Sequence, residues 1–281
     1  MKNNSVLITG CSSGIGLATA KMLKKKGWEV FTTARQDEDL VKLSNLGFQA
    51  VKLDLISSNS IHDCAEYVIK KTDGKLSAIV NNAGYGVPGA IEDLDRKSMK
   101  EQFEVNLFGT LELTNHLIPY LSKQKSARII YVSSVVGRIA LPFMGIYSAS
   151  KFALEAIADV QRVELSKTTI KVSLIEPGPI GTNFSKNTAR IMDSDKYSNS
   201  RFRESYKNII NKRLTSGMGA DKFRLAPISV AKKIIHALES HYPKTRYKVT
   251  VPAYLGDFIS RFIPTKISDF IIKKQILKRF T

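Results

Sequence analysis

Tyr147 and Lys151 stand four residues apart in Tyr147-Ser148-Ala149-Ser150-Lys151, a spacing that sets two side chains on one face of a helix. A phenol titrates near ~10 and is a poor base at neutral pH, but an ammonium beside it favours the phenolate. Such a pair can exchange a proton with an alcohol or carbonyl oxygen. Taken alone, the same residues equally describe the surface of an ordinary helix. A second group points to phosphate. Thr9-Gly10-Cys11-Ser12-Ser13-Gly14-Ile15-Gly16 follows a short apolar run. Glycines at a strand-to-helix turn let the backbone approach a phosphate, and the helix N-terminus offers N–H donors and the positive end of a dipole. The spacing is G-x-x-x-G-x-G, not G-x-G-x-x-G, so a mere tight turn is the competing account.

The elements that must position these groups alternate along the first two-thirds of the chain. Ser5–Ile8 reads as a strand, and Leu17, Ala18, Ala20, Met22 and Leu23 mark a helix stopped by Gly27. Strands are predicted at Trp28–Thr33, Gln49–Leu53, Ala78–Asn81, Arg128–Val132 and Lys171–Glu176, with helices at Leu40–Leu46, Ile61–Lys71, Met99–Leu121 and Ile146–Leu165. Strands separated by helices of this length imply right-handed crossovers and a parallel sheet covered on both faces. The fold class is doubly wound α/β. Asn81-Asn82-Ala83-Gly84, Ser133-Ser134 and Pro177-Gly178 each follow a strand at its carboxyl end, where open parallel sheets bind ligands. Small and polar residues thus gather at one edge.

Composition removes other classes. Two cysteines, Cys11 and Cys64, cannot form a disulfide framework, so a reducing compartment, the cytoplasm, is expected. No run of about 18 apolar residues exists to span a bilayer. A strand beginning at Ser5 is expected to leave no room for a signal peptide. His62, His116, His236 and His241 show no metal-ligand spacing, so no metal is expected.

These motifs resemble the short-chain dehydrogenase/reductase family from Thr9 to Thr182. T-G-x-x-x-G-x-G is met by Thr9–Gly16, N-N-A-G by Asn81–Gly84, and Y-x-x-x-K by Tyr147–Lys151. The family serine matches Ser134, the helix asparagine Asn106, and the P-G motif Pro177-Gly178 with Thr182 at the usual offset. The resemblance implies a Rossmann-type sheet, hydride transfer at a nicotinamide, and a catalytic tetrad of Asn106, Ser134, Tyr147 and Lys151. In that scheme Tyr147 is the acid/base, while Lys151 lowers its pKa and binds the ribose hydroxyls. Ser134 holds the substrate oxygen, with Ser133 as a competitor, and Asn106 holds a relay water. The cofactor contacts implied are Gly10, Ser12, Ser13, Gly14, Ile15, Gly16, Arg35, Asp54, Leu55, Asn82, Ala83, Gly84, Tyr147, Lys151, Pro177, Gly178, Ile180 and Thr182. Thr32-Thr33-Ala34-Arg35 has no acid for a ribose 2′-hydroxyl and an arginine for a 2′-phosphate, so NADP(H) is predicted. The competing account of Arg35 is a solvated charge beside Asp37, Glu38 and Asp39.

The chain carries 43 Lys and Arg against 25 Asp and Glu, a formal charge of +18. Residues 1–185 contribute only +4 of this and residues 186–281 contribute +14. The chain is taken as one domain, 1–281: a cofactor and catalytic core to 185, a substrate lobe over 186–256 and a basic tail over 257–281. Within the lobe 186–224 has weak periodicity, Pro227–Leu238 is helical and Tyr247–Val251 a last strand. Phe184, Ile191, Met192, Tyr197, Phe202 and Tyr206 suit a bulky apolar substrate such as a steroid, retinoid or acyl-lipid ketone, or simply pack the lobe. Ile267, Phe270, Ile271, Ile276, Leu277 and Phe280 alternate with Lys266, Lys273, Lys274, Lys278 and Arg279 in the tail. That pattern fits either an interfacial helix on anionic lipid or a helix packed on its own domain or a dimer partner. Nucleic acid is not expected, since no recognition motif accompanies the charge. The resemblance implies self-association as a dimer or tetramer. A rival is a nucleotide-binding or membrane-surface protein that keeps the fold without turnover.

Overall fold

Short apolar runs buried on both faces demand a sheet covered by helices on each side, and all side chains of β1 (Ser5–Ile8), β4 (Ala78–Asn81) and β5 (Ala127–Val132) are buried. The computed structural model describes residues 4–191, 197–215 and 223–275. It shows a seven-stranded sheet in the order β3-β2-β1-β4-β5-β6-β7, every neighbouring pair parallel. The remaining strands are β2 (Glu29–Ala34), β3 (Gln49–Lys52), β6 (Ile170–Pro177) and β7 (Arg246–Val249). The first crossover helices are α1 (Gly14–Lys25), α2 (Asp37–Asn45) and α3 (Ser58–Lys71). They are followed by α4 (Arg96–Phe103), α5 (Gly109–Leu121) and α6 (Gly145–Glu164). The later part holds α7 (Phe184–Ile191), α8 (Arg203–Thr215), α9 (Pro227–Glu239), α10 (Val251–Phe262) and α11 (Thr265–Gln275).

Successive strand residues feed two cores, as a pleat requires. Val6 and Ile8 pack with Ala20, Leu23, Val230 and Ile234 on the α1 and α9 side. Leu7 packs with Ile61, Val68, Leu113, Leu117 and Leu154 on the other. Register levels the strand ends: Ile8 faces Thr32 and Val80, and Asn81 faces Tyr131. The winding direction reverses between β1 and β4, opening a crevice at their carboxyl ends.

Several boundaries differ from the sequence reading. α2 starts at Asp37, before its apolar stripe, because Asp37, Glu38 and Asp39 suit the positive end of a helix dipole. The helix expected over Met99–Leu121 is α4 and α5 joined by a π turn, Glu104–Phe108. The loosely patterned segment contains two helices, α7 and α8. The last strand stops at Val249, not Val251, because Thr250 takes φ 95 and Pro252 sits in the first turn of α10. Pro264 separates α10 from α11, and the divisions drawn at 185 and 256 fall inside α7 and α10. Met192, Ile276, Leu277, Lys278, Arg279 and Phe280 lie outside the described residues. Among the described residues no helix is long and apolar enough to cross a membrane.

Candidate active site

The glycine turn is closed against the end of β4 with no room for side chains. Gly10 has φ +69, and a Cβ there would lie 2.8 Å from the Ala83 Cα. A Cβ on Gly16 would strike the Gly10 carbonyl oxygen and sit 2.7 Å from Asn82 Nδ2. Polar groups lock the two segments: Thr9 Oγ1 accepts from the N–H of Asn82 and of Ala83, each at 2.9 Å. Asn82 Nδ2 donates to the carbonyls of Thr9 (2.9 Å) and Gly10 (3.0 Å). Ser13 precedes α1 without capping it through its hydroxyl, so the first N–H groups, at Gly14, Ile15 and Gly16, keep no side-chain acceptor. Such a bare, positively polarised helix end in a cradle that a single Cβ would fill suits a pyrophosphate.

The other expected cofactor contacts ring this turn. Thr182 lies beside Gly14, its Cγ2 3.1 Å from where a Gly14 Cβ would be, and its Oγ1 accepts from the N–H of Phe184 at the start of α7. Gly178, after Pro177, donates from its N–H to the Val249 carbonyl at 2.9 Å, and Ile180 pairs with Leu225. Asp54 is committed to its own turn, its Oδ1 accepting from the Ile56 N–H at 3.1 Å, and Leu55 is buried. Ser12 is exposed at the tip of the turn, and Arg35 is exposed just beyond buried Ala34. Two of the three acids near Arg35 have other partners: Asp37 pairs with Lys52 at 2.8 Å and Asp39 with Lys42 at 3.2 Å.

Across the crevice, α6 presents Tyr147 and Lys151, both buried. The Ser134 hydroxyl lies beside the Tyr147 phenol, donating to the Pro177 carbonyl at 3.5 Å and accepting from the Val136 N–H at 3.3 Å. Lys151 Nζ donates to the Val132 carbonyl at 2.9 Å and lies 6.0 Å from the Tyr147 ring centroid. A Cβ on Gly84 would stand 3.1 Å from Asn106 Oδ1 and 3.6 Å from Lys151 Nζ, so the missing side chain there lets both residues meet the N-N-A-G segment. Asn106 lies in the π turn, a helix irregularity often found at functional sites. Its Nδ2 donates to the Tyr85 carbonyl (3.0 Å) and Ser150 Oγ (3.1 Å), and its Oδ1 accepts from the Tyr85 N–H (3.1 Å). All four tetrad residues are therefore brought to one place. Ser133 is turned the other way, toward Glu155.

Burial dominates the electrostatics. It pushes the Tyr147 phenol up to about 12, with the Ser134 hydroxyl opposing. It pushes the Lys151 ammonium down to about 8, with the Glu155 carboxylate opposing. The expected lowering of the phenol by Lys151 is thus outweighed in the chain by itself, where the ammonium is turned to a backbone carbonyl. Tyr147 is protonated at neutral pH. Behind α6, one guanidinium serves three carboxylates: Arg246 lies 3.1 Å from Glu155, 2.6 Å from Asp159 and 3.0 Å from Glu176. Burial and the nearby Glu155 carboxylate raise Glu176 to about 7.

An apolar wall adjoins the phenol. Phe184 packs on the Tyr147 ring at 5.4 Å, with Val136, Met144 and Leu141 alongside. Tyr197, Phe202 and Tyr206 pack elsewhere, with Phe143 and Ala90. The Tyr206 hydroxyl donates to Asp93 Oδ2 at 2.6 Å and accepts from the Ala90 N–H at 2.8 Å. Ile191 is exposed. Sequence reasoning missed Gln102, fully buried one turn before Asn106, whose Nε2 also donates to the Tyr85 carbonyl, at 2.8 Å. A second amide four residues from Asn106 was the available signal. Gly86 was also missed: a Cβ there would meet Phe184 at 2.9 Å and the Tyr147 ring at 3.4 Å. Cys11 is a packing residue, its thiol donating to the Ile8 carbonyl and pushed up to about 12 by burial.

Residues 4–192 match the model of the short chain dehydrogenase family. The uncharacterized oxidoreductase YbbO of Escherichia coli K12 is 40% identical over 269 residues, covering 96% of this chain and 94% of that protein. A 3-ketodihydrosphingosine reductase of Bacteroides thetaiotaomicron is 35% identical over 188 residues, 66% of this chain and 68% of its own. A short chain dehydrogenase/reductase from Burkholderia phymatum, solved in complex with NAD, shares the fold at a TM-score of 0.78 and 21% identity, over 96% of this chain and 95% of that one. With the glycine cradle and the tetrad at one sheet edge, these matches place the chain in the short-chain dehydrogenase/reductase family, as an oxidoreductase built to take a nicotinamide cofactor.

Proposed function

We propose that the protein reduces a bulky apolar ketone to a secondary alcohol with NADPH. The observation that carries this reading is the buried, protonated Tyr147 placed next to Ser134 and the Phe184 and Met144 wall. Bound NADPH supplies the hydride from its nicotinamide. Tyr147 hands its proton to the substrate oxygen, and the Ser134 hydroxyl holds that oxygen as negative charge develops. Lys151 binds ribose hydroxyls and, once its ammonium faces the phenol, makes proton release easier. Asn106 Oδ1 has one lone pair on the Tyr85 N–H and a second for a relay water.

Arg35 is assigned the 2′-phosphate, with Ser12 as a second donor; two of the acids beside it, Asp37 and Asp39, are paired with lysines. Because the fold is shared with an NAD complex, the choice of cofactor rests on Arg35. An acyl-lipid, steroid or retinoid ketone fits the apolar wall, and the 3-ketodihydrosphingosine reductase among the relatives acts, by its name, on a lipid ketone. We further propose self-association as a dimer or tetramer, a cytoplasmic location in keeping with two free, buried cysteines, and peripheral membrane contact through the C-terminal tail. The test is NADPH and NADH oxidation over a panel of ketones from small to lipid-sized. Faster turnover of the large apolar members with NADPH supports the reading. Equal rates with NADH, or no turnover of any ketone, overturn it.

A further inference from the structure

α10 carries its apolar residues on the wrong side for a helix that merely packs. Ala253, Gly256 and Asp257 are buried, and a Cβ on Gly256 would lie 2.7 Å from Val135 Cγ2, so this face docks the helix on the turn after Ser134. The opposite face holds Val251, Tyr254, Leu255, Phe258 and Phe262, which are 52–68% exposed. Val251, Leu255, Phe258 and Phe262 are three or four residues apart, the spacing of one continuous stripe, with Tyr254 at its edge. In α11, Ile267 and Phe270 are likewise exposed, with Lys274 Nζ over the Phe270 ring. Contiguous apolar surface of this kind on a folded protein marks an interaction site.

The stripe borders a concavity of about 370 Å³ between α9, β7 and α10, lined by Lys232, Lys233, His236, Lys244, Lys248 and Tyr254 among others. Tyr254 belongs to both features, and Lys248 Nζ sits over its ring at 5.7 Å. The carboxylates of this region are already taken. Asp257 is shared by Arg138, Lys248 and Arg261 at 2.8–3.0 Å, and Glu239 by Lys26 at 2.9 Å. Among the described residues Lys232, Lys233 and Lys244 have no carboxylate partner. A pocket of uncompensated ammonium groups selects an anion, and large apolar side chains beside it select one attached to hydrocarbon.

We infer that this pocket receives the phosphate of an anionic phospholipid headgroup while the α10 stripe and the exposed residues of α11 enter the same membrane surface. Cations rimming an apolar helix face are the arrangement that anionic bilayers bind. A second copy is disfavoured by charge, because a two-fold interface would set the lysine rim against itself. The inference rests on the peripheral contact proposed above and moves its centre from the tail to α9, β7 and α10.

The test is co-sedimentation of the full chain with phosphatidylcholine vesicles, with and without phosphatidylglycerol. Binding is expected only to the anionic vesicles and to weaken with added salt. The Lys232→Gln/Lys244→Gln double variant should lose about tenfold or more in affinity. Phe258→Ser/Phe262→Ser should also lose it, with circular dichroism and melting midpoint confirming that both variants fold. Loss confined to Ile267→Ser/Phe270→Ser, with the pocket and α10 variants unaffected, overturns the pocket while leaving the tail contact standing. Absence of binding to either vesicle overturns both. Binding of inorganic phosphate or of an acidic protein without vesicle binding also overturns the inference.

Discussion

The edge where β1 and β4 end and the lobe beyond Pro177 border one site, yet they are built by opposite means. At the first, backbone lies against backbone: the glycine turn and the Asn82–Gly84 segment touch where a Cβ would not fit, and only two short side chains, Thr9 and Asn82, bond to the main chain across them. In the lobe, side chains do the joining, with Phe184 on Tyr147 and Tyr206 on Asp93. Charge divides along the same line, +4 before residue 186 and +14 after it. The cofactor cradle is shaped by close main-chain approach, which few substitutions there can leave intact. Admission and location are left to side chains, which single substitutions alter.

Removing the Tyr147 hydroxyl tests the first region most sharply. Tyr147→Phe should lower ketone reduction by about 10²–10⁴-fold while NADPH binding, followed by nucleotide fluorescence, is retained. Rates that hold in the variant would remove Tyr147 from the chemistry. Next in size is Arg35→Ala, expected to weaken NADPH about tenfold to a hundredfold with NADH affinity unchanged. An equal loss for both nucleotides would show that Arg35 supports the fold and does not read the phosphate.

In the lobe, Tyr206→Phe strands the Ala90 N–H and removes one of the two hydroxyls on Asp93 Oδ2, leaving Ser200 at 2.7 Å. It should cost about 1–2 kcal/mol in chemical denaturation and raise KM more than it lowers kcat. An unchanged midpoint would mean that the lobe is not held by this link. The smallest effect is expected where the regions join, at Arg246. Because Glu176 titrates near 7 in the fold against 4.5 unperturbed, the native state holds that proton more tightly. The associated stability is complete below pH 4.5 and is lost as pH rises through 7. Glu176→Gln should therefore match the parent near pH 4 and melt higher at pH 8, by up to about 1 kcal/mol, since Arg246 keeps Glu155 and Asp159. A lower melting point at pH 8 would show that Glu176 is needed as a carboxylate.

Much of the main-chain region was legible in the sequence. Alternating apolar runs predict a parallel sheet, and the level register of its strands brings Gly10, Asn82, Ser134 and Tyr147 to one edge. What was not legible depends on partners distant in the chain. Tyr206 meets Asp93 across 113 residues, and no local pattern announces it. Nor does Glu104-Val105-Asn106-Leu107-Phe108 differ in composition from an ordinary helix; its π turn comes from the inward bonds of Asn106 to Tyr85 and Ser150. The tail's apolar and basic stripe was readable, but not that its exposed face begins at Val251, because the Thr250 turn that starts α10 has a backbone angle no composition predicts.

The widened turn at Glu104–Phe108 sets a rule about length. A π turn fits one residue more into a turn than an α-helix does, so deleting one residue between Phe103 and Gly109 would restore a regular spiral and swing Asn106 away from Tyr85 while α4 and α5 kept their faces. Any redesign that regularises this helix to gain stability would thereby remove Asn106 from its bonds to Tyr85 and Ser150 without moving the helices on either side. Between Phe103 and Gly109, the number of residues is a stricter requirement than their identity, save for Asn106.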